Sequence, residues 1–173
     1  DYLKKILGSE GNNYAIDCGV LGAADFGAPQ KRMRFVVMGI KKDISTNIAL
    51  PNKKFSPENY RKVSDALEDL QDVSPVYDVV EDQNGIVLNF PSSVLSPLAM
   101  QLRDSAILHN HIITRTRETA LERFGALKQG ENFHNLVDEL KESTYTDVSR
   151  TQNTVYLRLK YSEPSGTVIN VKK

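Results

Sequence analysis

The spacing of Gln30, Arg32 and Arg34, two residues apart, restricts the fold of this chain more than any other feature. Side chains at this spacing project from one face of an extended strand, and Lys31 projects from the other. The apolar run at residues 35 to 38 predicts that the strand is covered on both faces. The pattern therefore predicts a strand face that holds an anionic or oxygen-rich partner. An edge hairpin with solvated arginines is the alternative that the residues leave open.

Two separate motifs resemble those of a single enzyme family. AADFGAPQKRMR, residues 23 to 34, resembles the AADYGxPQxRxR motif of DNA (cytosine-5) methyltransferases, and RLKYSEPSGT, residues 158 to 167, resembles the RLxxxxPxxT segment of the same family. The order of the motifs and the domain-sized gap between them also fit. The resemblance implies an α/β to α+β fold: the end of a Rossmann-like methyltransferase sheet, in the form of an antiparallel hairpin, plus a small mixed target-recognition domain.

The resemblance also implies a domain organisation. Residues 1–45 would be the C-terminal hairpin portion of the catalytic domain, 46–160 the target-recognition domain, and 161–173 a return segment toward the catalytic domain. Between residues 41 and 54 the composition shifts to Lys, Asp, Ser, Thr and Asn with Pro51, which favours a boundary near residue 45.

The resemblance assigns roles to individual side chains. Arg34 would donate to the oxygen at position 2 of a flipped cytosine, and Arg32 would hold the catalytic loop or a nearby phosphate. Gln30 would support both arginines. Thr167 would contact the phosphate beside the flipped nucleotide, although the family's ThrLeu pair is Thr167 and Val168 here.

A basic segment in the presumed recognition domain predicts further DNA contacts. Besides Lys31, the candidates for DNA contact are His109, Arg115, Arg117, Arg123 and Lys128. The competing interpretation is a solvated helix face, because Glu118 and Glu122 lie at helical spacing from the arginines and can pair with them. His109 and His111 would share a strand face, but a structural zinc site needs four ligands, so no metal site is expected.

The catalytic motifs of the family do not occur in this chain. It has no ProCys nucleophile, no GluAsnVal acid and no glycine-rich loop for S-adenosylmethionine. Its single cysteine, Cys18, is expected to be a small buried core residue. We therefore expect an excised fragment that is inactive by itself, with the S-adenosylmethionine site of the parent enzyme mostly outside it.

Composition sets the remaining bounds. Lys+Arg and Asp+Glu both number 22, so net charge gives no argument for nucleic acid. Charge is unevenly distributed, however: five basic residues without an acid lie between residues 28 and 42, and seven acids without a base lie between 64 and 82. One cysteine excludes a disulfide framework, and no apolar run reaches membrane-spanning length. We expect a cytoplasmic protein of prokaryotic type, with double-stranded DNA and a cognate restriction endonuclease as partners and no membrane.

Local patterns predict the other elements. Helices are expected at residues 2 to 7, at 65 to 70 with Ser64 as the cap and a solvated acidic face, after Ser96 and Pro97, and at 116 to 128 with Gly130 as the stop. Strands are expected at 14 to 20 and, less regularly, at 108 to 113.

The leading hypothesis is thus a fragment of a DNA (cytosine-5) methyltransferase. It would recognise a duplex sequence and help to hold the flipped cytosine for methyl transfer from S-adenosylmethionine. One alternative is a non-catalytic DNA-binding specificity module. The other is a transfer-RNA cytosine methyltransferase relative, which keeps the same hairpin.

Overall fold

A computed structural model describes residues 2–7, 13–77, 84–88, 95–113, 115–142 and 153–167. Its internal contacts divide the chain into two compact units. The first unit comprises Asp1–Arg61 and Pro164–Lys173, and the second comprises Lys62–Glu163. The second unit is therefore an insertion in the sequence of the first. The described elements form a small mixed α/β structure with two antiparallel two-stranded sheets.

The first unit is built on a long hairpin. Helix α1 spans Tyr2–Leu7, and strands β1, Tyr14–Gly22, and β2, Met33–Lys41, pair antiparallel from Tyr14↔Lys41 to Gly22↔Met33. A short 3-10 helix at Ala23–Phe26 follows β1 directly. The predicted helix at 2 to 7 and the predicted strand at 14 to 20 are confirmed, and the strand extends two residues further.

The apolar run of β2 is more exposed than its composition predicts. Phe35 is 56% exposed, Val37 40% and Met38 36%, and only Val36 of the run is half-buried. The strand is correctly predicted, but its burial on both faces is wrong, because among the described elements only β1 makes extensive contact with β2.

The segment after β2 packs on the hairpin. The amide of Leu50 donates to the Asp17 carboxylate over 2.8 Å, and the amide of Phe55 donates to the carbonyl oxygen of Asp25 over 3.1 Å. A side chain of Leu50 also lies against Gly19, where an added Cβ would be 2.9 Å from it. The contacts consequently divide the chain after Arg61, whereas composition alone favours a boundary near 45.

The second unit consists of short elements. They are α2 at Val63–Leu67, β3 at Ile86–Val87, α3 at Pro97–Leu102, β4 at Ile107–Leu108, α4 at Glu118–Ala126 and α5 at Asp138–Glu142. Helices α2 and α3 pack together through Val63, Ala66, Leu98 and Ala99, which are all buried. Main-chain hydrogen bonds from Val63 to Glu163 (3.0 Å) and from Ser64 to Tyr161 (3.1 Å) join the beginning of this unit to its end.

Of the two predicted helix caps, one is confirmed and the other is wrong. The Ser96 hydroxyl accepts the amide of Ala99 over 3.0 Å, as predicted. The cap of α2 is Lys62 rather than Ser64, because the carboxylate of Asp65 reaches back to accept the amide of Lys62 over 2.8 Å.

The predicted solvated acidic face on this helix is also wrong. Asp69 has a side chain only 5% exposed, and its carboxylate accepts both Nε and Nη2 of Arg103 over 2.9 Å. A buried carboxylate is retained when a guanidinium pairs with it in this two-bond geometry. Composition could not reveal this distant partner, which directly follows α3.

A second cluster lies around α4 and α5, and its buried residues are Leu127, Phe133 and Leu136. The predicted helix at 116 to 128 is confirmed in a shorter form. Gly130 lies beyond it with a φ of 85°, a left-handed conformation that glycine adopts without strain. Nowhere in the described part of the chain is there a helix with the length and apolar content needed to cross a membrane.

Candidate functional site

The connection between β1 and β2 is a fixed turn. The amide of Gly27 donates to the carbonyl oxygen of Ala24 and the amide of Ala28 to that of Ala23, both over 3.1 Å. Gly27 has a φ of 93°, and a Cβ there would lie 2.9 Å from the ring of Phe55. Both the backbone conformation and the close ring require glycine at this position.

The C-terminal motif pairs with this connection. The amide of Lys31 donates to the carbonyl oxygen of Ser165 over 2.7 Å, and the amide of Ser165 donates to that of Pro29 over 2.9 Å. Gln30 and Ser165 thereby form a parallel bridge. The hydroxyl of Thr167 donates to the carbonyl oxygen of Lys31 over 3.4 Å. The two motifs that lie furthest apart in the sequence are therefore adjacent.

The structure brings Gln30, Arg32 and Arg34 together at the start of β2, though not within one strand. Only Arg34 lies in β2, opposite Leu21, and Gln30 lies in the bridge to Ser165. The main chain of Arg32 is held by the amide of Ala23 over 2.9 Å.

The positive charges of the two guanidiniums of this motif are not neutralised by a described carboxylate. Arg34 is exposed and Arg32 half-buried. Nη1 of Arg34 donates to the carbonyl oxygen of Met33 over 2.7 Å, which leaves its other donors for a ligand. Within the described residues, neither arginine forms an ion pair with a carboxylate. Lys31 and Thr167 are exposed beside them. This arrangement suits an anionic or oxygen-rich ligand.

A polar cluster next to the connection was not predicted from the sequence. Asp25 is 4% exposed, and its carboxylate accepts the hydroxyl of Tyr60 in a short hydrogen bond and pairs with Nζ of Lys53 over 3.0 Å. The hydrogen bond from Tyr60 and then the bond from Lys53 hold the pKa of Asp25 below its ordinary value. The hydrogen bond between Tyr60 and Asp25 also raises the pKa of Tyr60. Asp25 belongs to the first motif, but composition placed Lys53 in a linker, and Tyr60 fell in the presumed target-recognition domain.

The basic segment of the second unit divides into two classes. His109, Arg115, Arg117 and Lys128 are exposed. Arg123, by contrast, is 2% exposed: its Nε donates to the carbonyl oxygen of Leu140 over 2.7 Å, and its guanidinium lies 5.8 Å from the centroid of the Phe133 ring. Arg123 is thus part of the core, and its predicted contribution to a DNA-contacting surface is wrong.

Cys18 and His111 both take part in hydrogen bonds within their own unit. Cys18 is half-buried rather than fully buried, and its amide donates to the carboxylate of Asp17 over 2.9 Å. A ring nitrogen of His111 lies 3.0 Å from the carbonyl oxygen of Val73. The described ranges contain no group of three or more His, Cys, Asp or Glu side chains that could hold a metal ion.

Comparison with known proteins places this geometry in a family. The sequence profile described as C-5 cytosine-specific DNA methylase matches residues 2–171. The chain therefore belongs to the cytosine-specific (C-5) DNA methylases, a family of transferases.

A curated relative agrees with this assignment. The chain is 27% identical over 160 residues to the type II methyltransferase M.DdeI of Desulfomicrobium norvegicum (strain DSM 1741 / NCIMB 8310). The match covers 90% of this chain but only 37% of that relative, so the chain spans about a third of its length. No solved structure matches the chain significantly.

The family implies S-adenosylmethionine as methyl donor, and the described residues can be tested for a fit. A nucleoside site uses a carboxylate for the ribose hydroxyls and a glycine-rich turn after a strand. The carboxylate of the connection, Asp25, is already engaged by Tyr60 and Lys53. The only glycine in the turn itself, Gly27, is covered by Phe55. The connection between β1 and β2 therefore does not fit the carboxylate-and-glycine pattern of such a site.

Proposed function

We propose that this chain is the part of a DNA (cytosine-5) methyltransferase that holds the extruded target cytosine and reads the surrounding duplex. Family membership supports the reaction class. The observation that carries the proposal is the pair of guanidiniums at Arg32 and Arg34, neither in an ion pair with a described carboxylate. They directly follow the residues that pair with Ser165. The β1–β2 hairpin would be the end of a Rossmann-like sheet.

The chemistry of the target cytosine explains why arginines are suited to positions 32 and 34. The ring carbons of cytosine are unreachable inside a duplex, so the base must leave the stack and be held by hydrogen bonds to its edge. In this proposal Arg34 donates to the oxygen at position 2 of that base. Arg32 holds a phosphate or the catalytic loop, Gln30 supports both, and Lys31 and Thr167 contact the adjacent backbone phosphates.

The second unit would supply recognition. His109, Arg115 and Arg117 are exposed there. The major groove distinguishes all four base pairs by donor and acceptor pattern, whereas phosphate contacts only position the protein. We assign these three side chains to DNA contact.

The remaining components belong to the complete natural protein. Its methyl donor would be S-adenosylmethionine, bound mostly outside these residues, and the chain alone should be inactive. The type II relative suggests a cognate restriction endonuclease, and a prokaryotic cytoplasm is where such a pair would act.

Expression of the complete protein in a bacterial host without cytosine methylation tests the proposal. Bisulfite sequencing of the host genome should find methylated cytosines in one sequence context, and Arg34→Ala should remove most of them. Lys42→Ala is the matched control: it removes one exposed cation from the far end of β2, roughly 25 Å away along the strand.

Other outcomes separate the alternatives. Duplex binding without methylation would favour a specificity module, and methylation confined to transfer RNA would favour that branch of the family. Saturable calorimetric binding of S-adenosylmethionine to the chain alone would contradict the placement of the cofactor site.

A further inference from the structure

The cluster of Asp25, Tyr60 and Lys53 contains a carboxylate that the proposed function does not use. Asp25 is nearly inaccessible, so it cannot touch DNA, whereas the side chain of Lys53 is 67% exposed. Exposed ion pairs contribute little because water competes with them. The hydroxyl of the half-buried Tyr60 is therefore the stronger partner, and it is also the first cause of the lowered pKa of Asp25.

The main chain reinforces this attachment. The carbonyl oxygen of Asp25 accepts the amides of Lys54 over 2.9 Å and Phe55 over 3.1 Å. The ring of Phe55 covers Gly27, and the guanidinium of Arg61 lies 5.3 Å from the centroid of that ring. Residues 53 to 61 thus hold residues 25 to 27 in place through both side-chain and main-chain contacts.

Residues 25 to 27 are linked to the arginines through a main-chain hydrogen bond. Asp25 lies in the 3-10 helix Ala23–Phe26, and the amide of Ala23 donates to the carbonyl oxygen of Arg32 over 2.9 Å. A shift of this helix consequently moves the main chain of Arg32 and the start of β2. Misplacement of a binding group by about 1 Å can lower a rate about a hundredfold.

We propose that Asp25 is a positioning residue: held by Tyr60, it fixes the turn that presents Arg32 and Arg34 to the extruded cytosine. The inference rests on the proposed function and deepens it. Asp25 contacts neither base nor phosphate, so its effect passes entirely through the arginines. Lys53 is a minor contributor because its ammonium is largely solvated.

Single-turnover methyl transfer by the complete protein tests this, with tritiated S-adenosylmethionine and unmethylated bacterial DNA. Asp25→Asn and Tyr60→Phe should each lower the rate by about tenfold or more, and duplex affinity should stay within about twofold because phosphate contacts are intact. Lys53→Met should lower the rate by about threefold at most. Asp43→Asn and Tyr14→Phe, both at exposed positions of the same unit, are the matched controls.

The double variant with Arg34→Ala separates positioning from mere stability. If Asp25 acts through the arginines, Asp25→Asn should cause a smaller loss of rate in the Arg34→Ala background than in the parent, and the loss that remains there acts through Arg32. An equal loss in both backgrounds would overturn the inference, since a general loss of folded protein acts regardless of Arg34. Tyr60→Phe removes one hydroxyl without burying a new polar group, so it carries the test if Asp25→Asn does not fold.

Failure of this inference and failure of the proposed function are distinguishable. If Arg34→Ala is slow while Asp25→Asn and Tyr60→Phe react at the parental rate, only the positioning role is overturned. If the complete protein transfers no methyl group to DNA, both proposals fall.

Discussion

The main-chain amide of Lys31 lies 2.7 Å from the carbonyl oxygen of Ser165, a hydrogen bond between residues near opposite ends of the chain. It places the segment that leaves the second unit beside the turn that carries Gln30 and the arginines. Because Ser165 also donates to Pro29 over 2.9 Å, the pairing is held from both sides. The turn is thus positioned by the return segment as well as by its own hairpin.

Ser165→Pro should loosen this pairing. Proline has no amide hydrogen, so the carbonyl oxygen of Pro29 loses its donor, at a cost of about 1 kcal/mol or more. Hydrogen exchange of the Lys31 amide should become faster. Gly166→Ala is the control, because an added Cβ meets no atom within 4 Å. Unchanged protection of Lys31 in Ser165→Pro would show that the pairing does not hold the turn.

Arg34→Ala should separate chemistry from binding in the complete enzyme. A lost donor to the reacting base should lower turnover about a hundredfold, with a weaker effect on duplex affinity. Thr167→Ala is the comparison: its hydroxyl makes only a long hydrogen bond to Lys31, 3.4 Å, so the cost should be about 1 kcal/mol and similar for every sequence. Single-turnover rates beside duplex affinities measure both effects. If Arg34→Ala turns over at the parental rate, the alternative of an edge hairpin with solvated arginines would be favoured instead.

Arg123→Met should destabilise the second unit. It removes the buried guanidinium that donates to the carbonyl oxygen of Leu140 (2.7 Å) and to the hydroxyl of Tyr156 (3.2 Å), so both of these hydrogen bonds are lost. We expect a loss of about 3 kcal/mol in the free energy of unfolding, measured by urea denaturation. Arg115→Met, at an exposed position, should change it by less than about 0.5 kcal/mol. Equal effects would mean that Arg123 is not a core residue.

Asp25 should make the free energy of unfolding of the first unit depend on pH in the acidic range. Its pKa is lowered in the folded state, first by Tyr60, so its contribution is present above the unfolded pKa of about 3.9 and is lost as the pH falls toward the lower folded value. Below about pH 4, Asp25→Asn should therefore lose stability less steeply than the parent. The pKa of Tyr60 is raised, so Tyr60→Phe should flatten the loss above about pH 10. Parallel curves of unfolding free energy against pH would contradict both expectations.

Exchange of the second unit between two related parents should move the methylated sequence and leave the reaction unchanged, because the proposed function places base readout in the second unit and the base-holding arginines in the first. The exchanged segment should be Lys62–Glu163. Exchange of 46–160 would replace Tyr60 and separate it from Asp25, so those chimeras should methylate more slowly. Bisulfite mapping with total methyl incorporation measures both, and an unmoved site would place specificity elsewhere.

Local elements of this fold were predictable because their signals are local. Ser96 followed by Pro97 marks the start of α3, and Gly130 follows α4, since caps and stops are set by adjacent residues. The start of α2 was misplaced because two capping patterns compete over three residues. Asp65 reaches back to Lys62, and Ser64 is left inside the helix.

The candidate site was predictable to the extent that one motif contains it. Gln30, Arg32 and Arg34 lie within five residues of sequence, whereas the pairing of Asp25 with Tyr60 joins two distant segments and leaves no periodic signal. Arg123 shows the same limit: a helix sequence does not reveal that a carbonyl group from α5 will accept the guanidinium in the core. Such partners come from tertiary contacts, which spacing alone does not encode.

The hydrogen bonds from Val63 to Glu163 and from Ser64 to Tyr161 have an evolutionary consequence. A segment whose first and last residues are paired can be replaced whole by two genetic crossovers, because the flanking chain ends remain the same distance apart. Insertions and deletions between these ends leave that distance unchanged as well. If the second unit reads the target as proposed, a lineage with this architecture would gain new targets by recombination while the hairpin and its arginines stay unchanged.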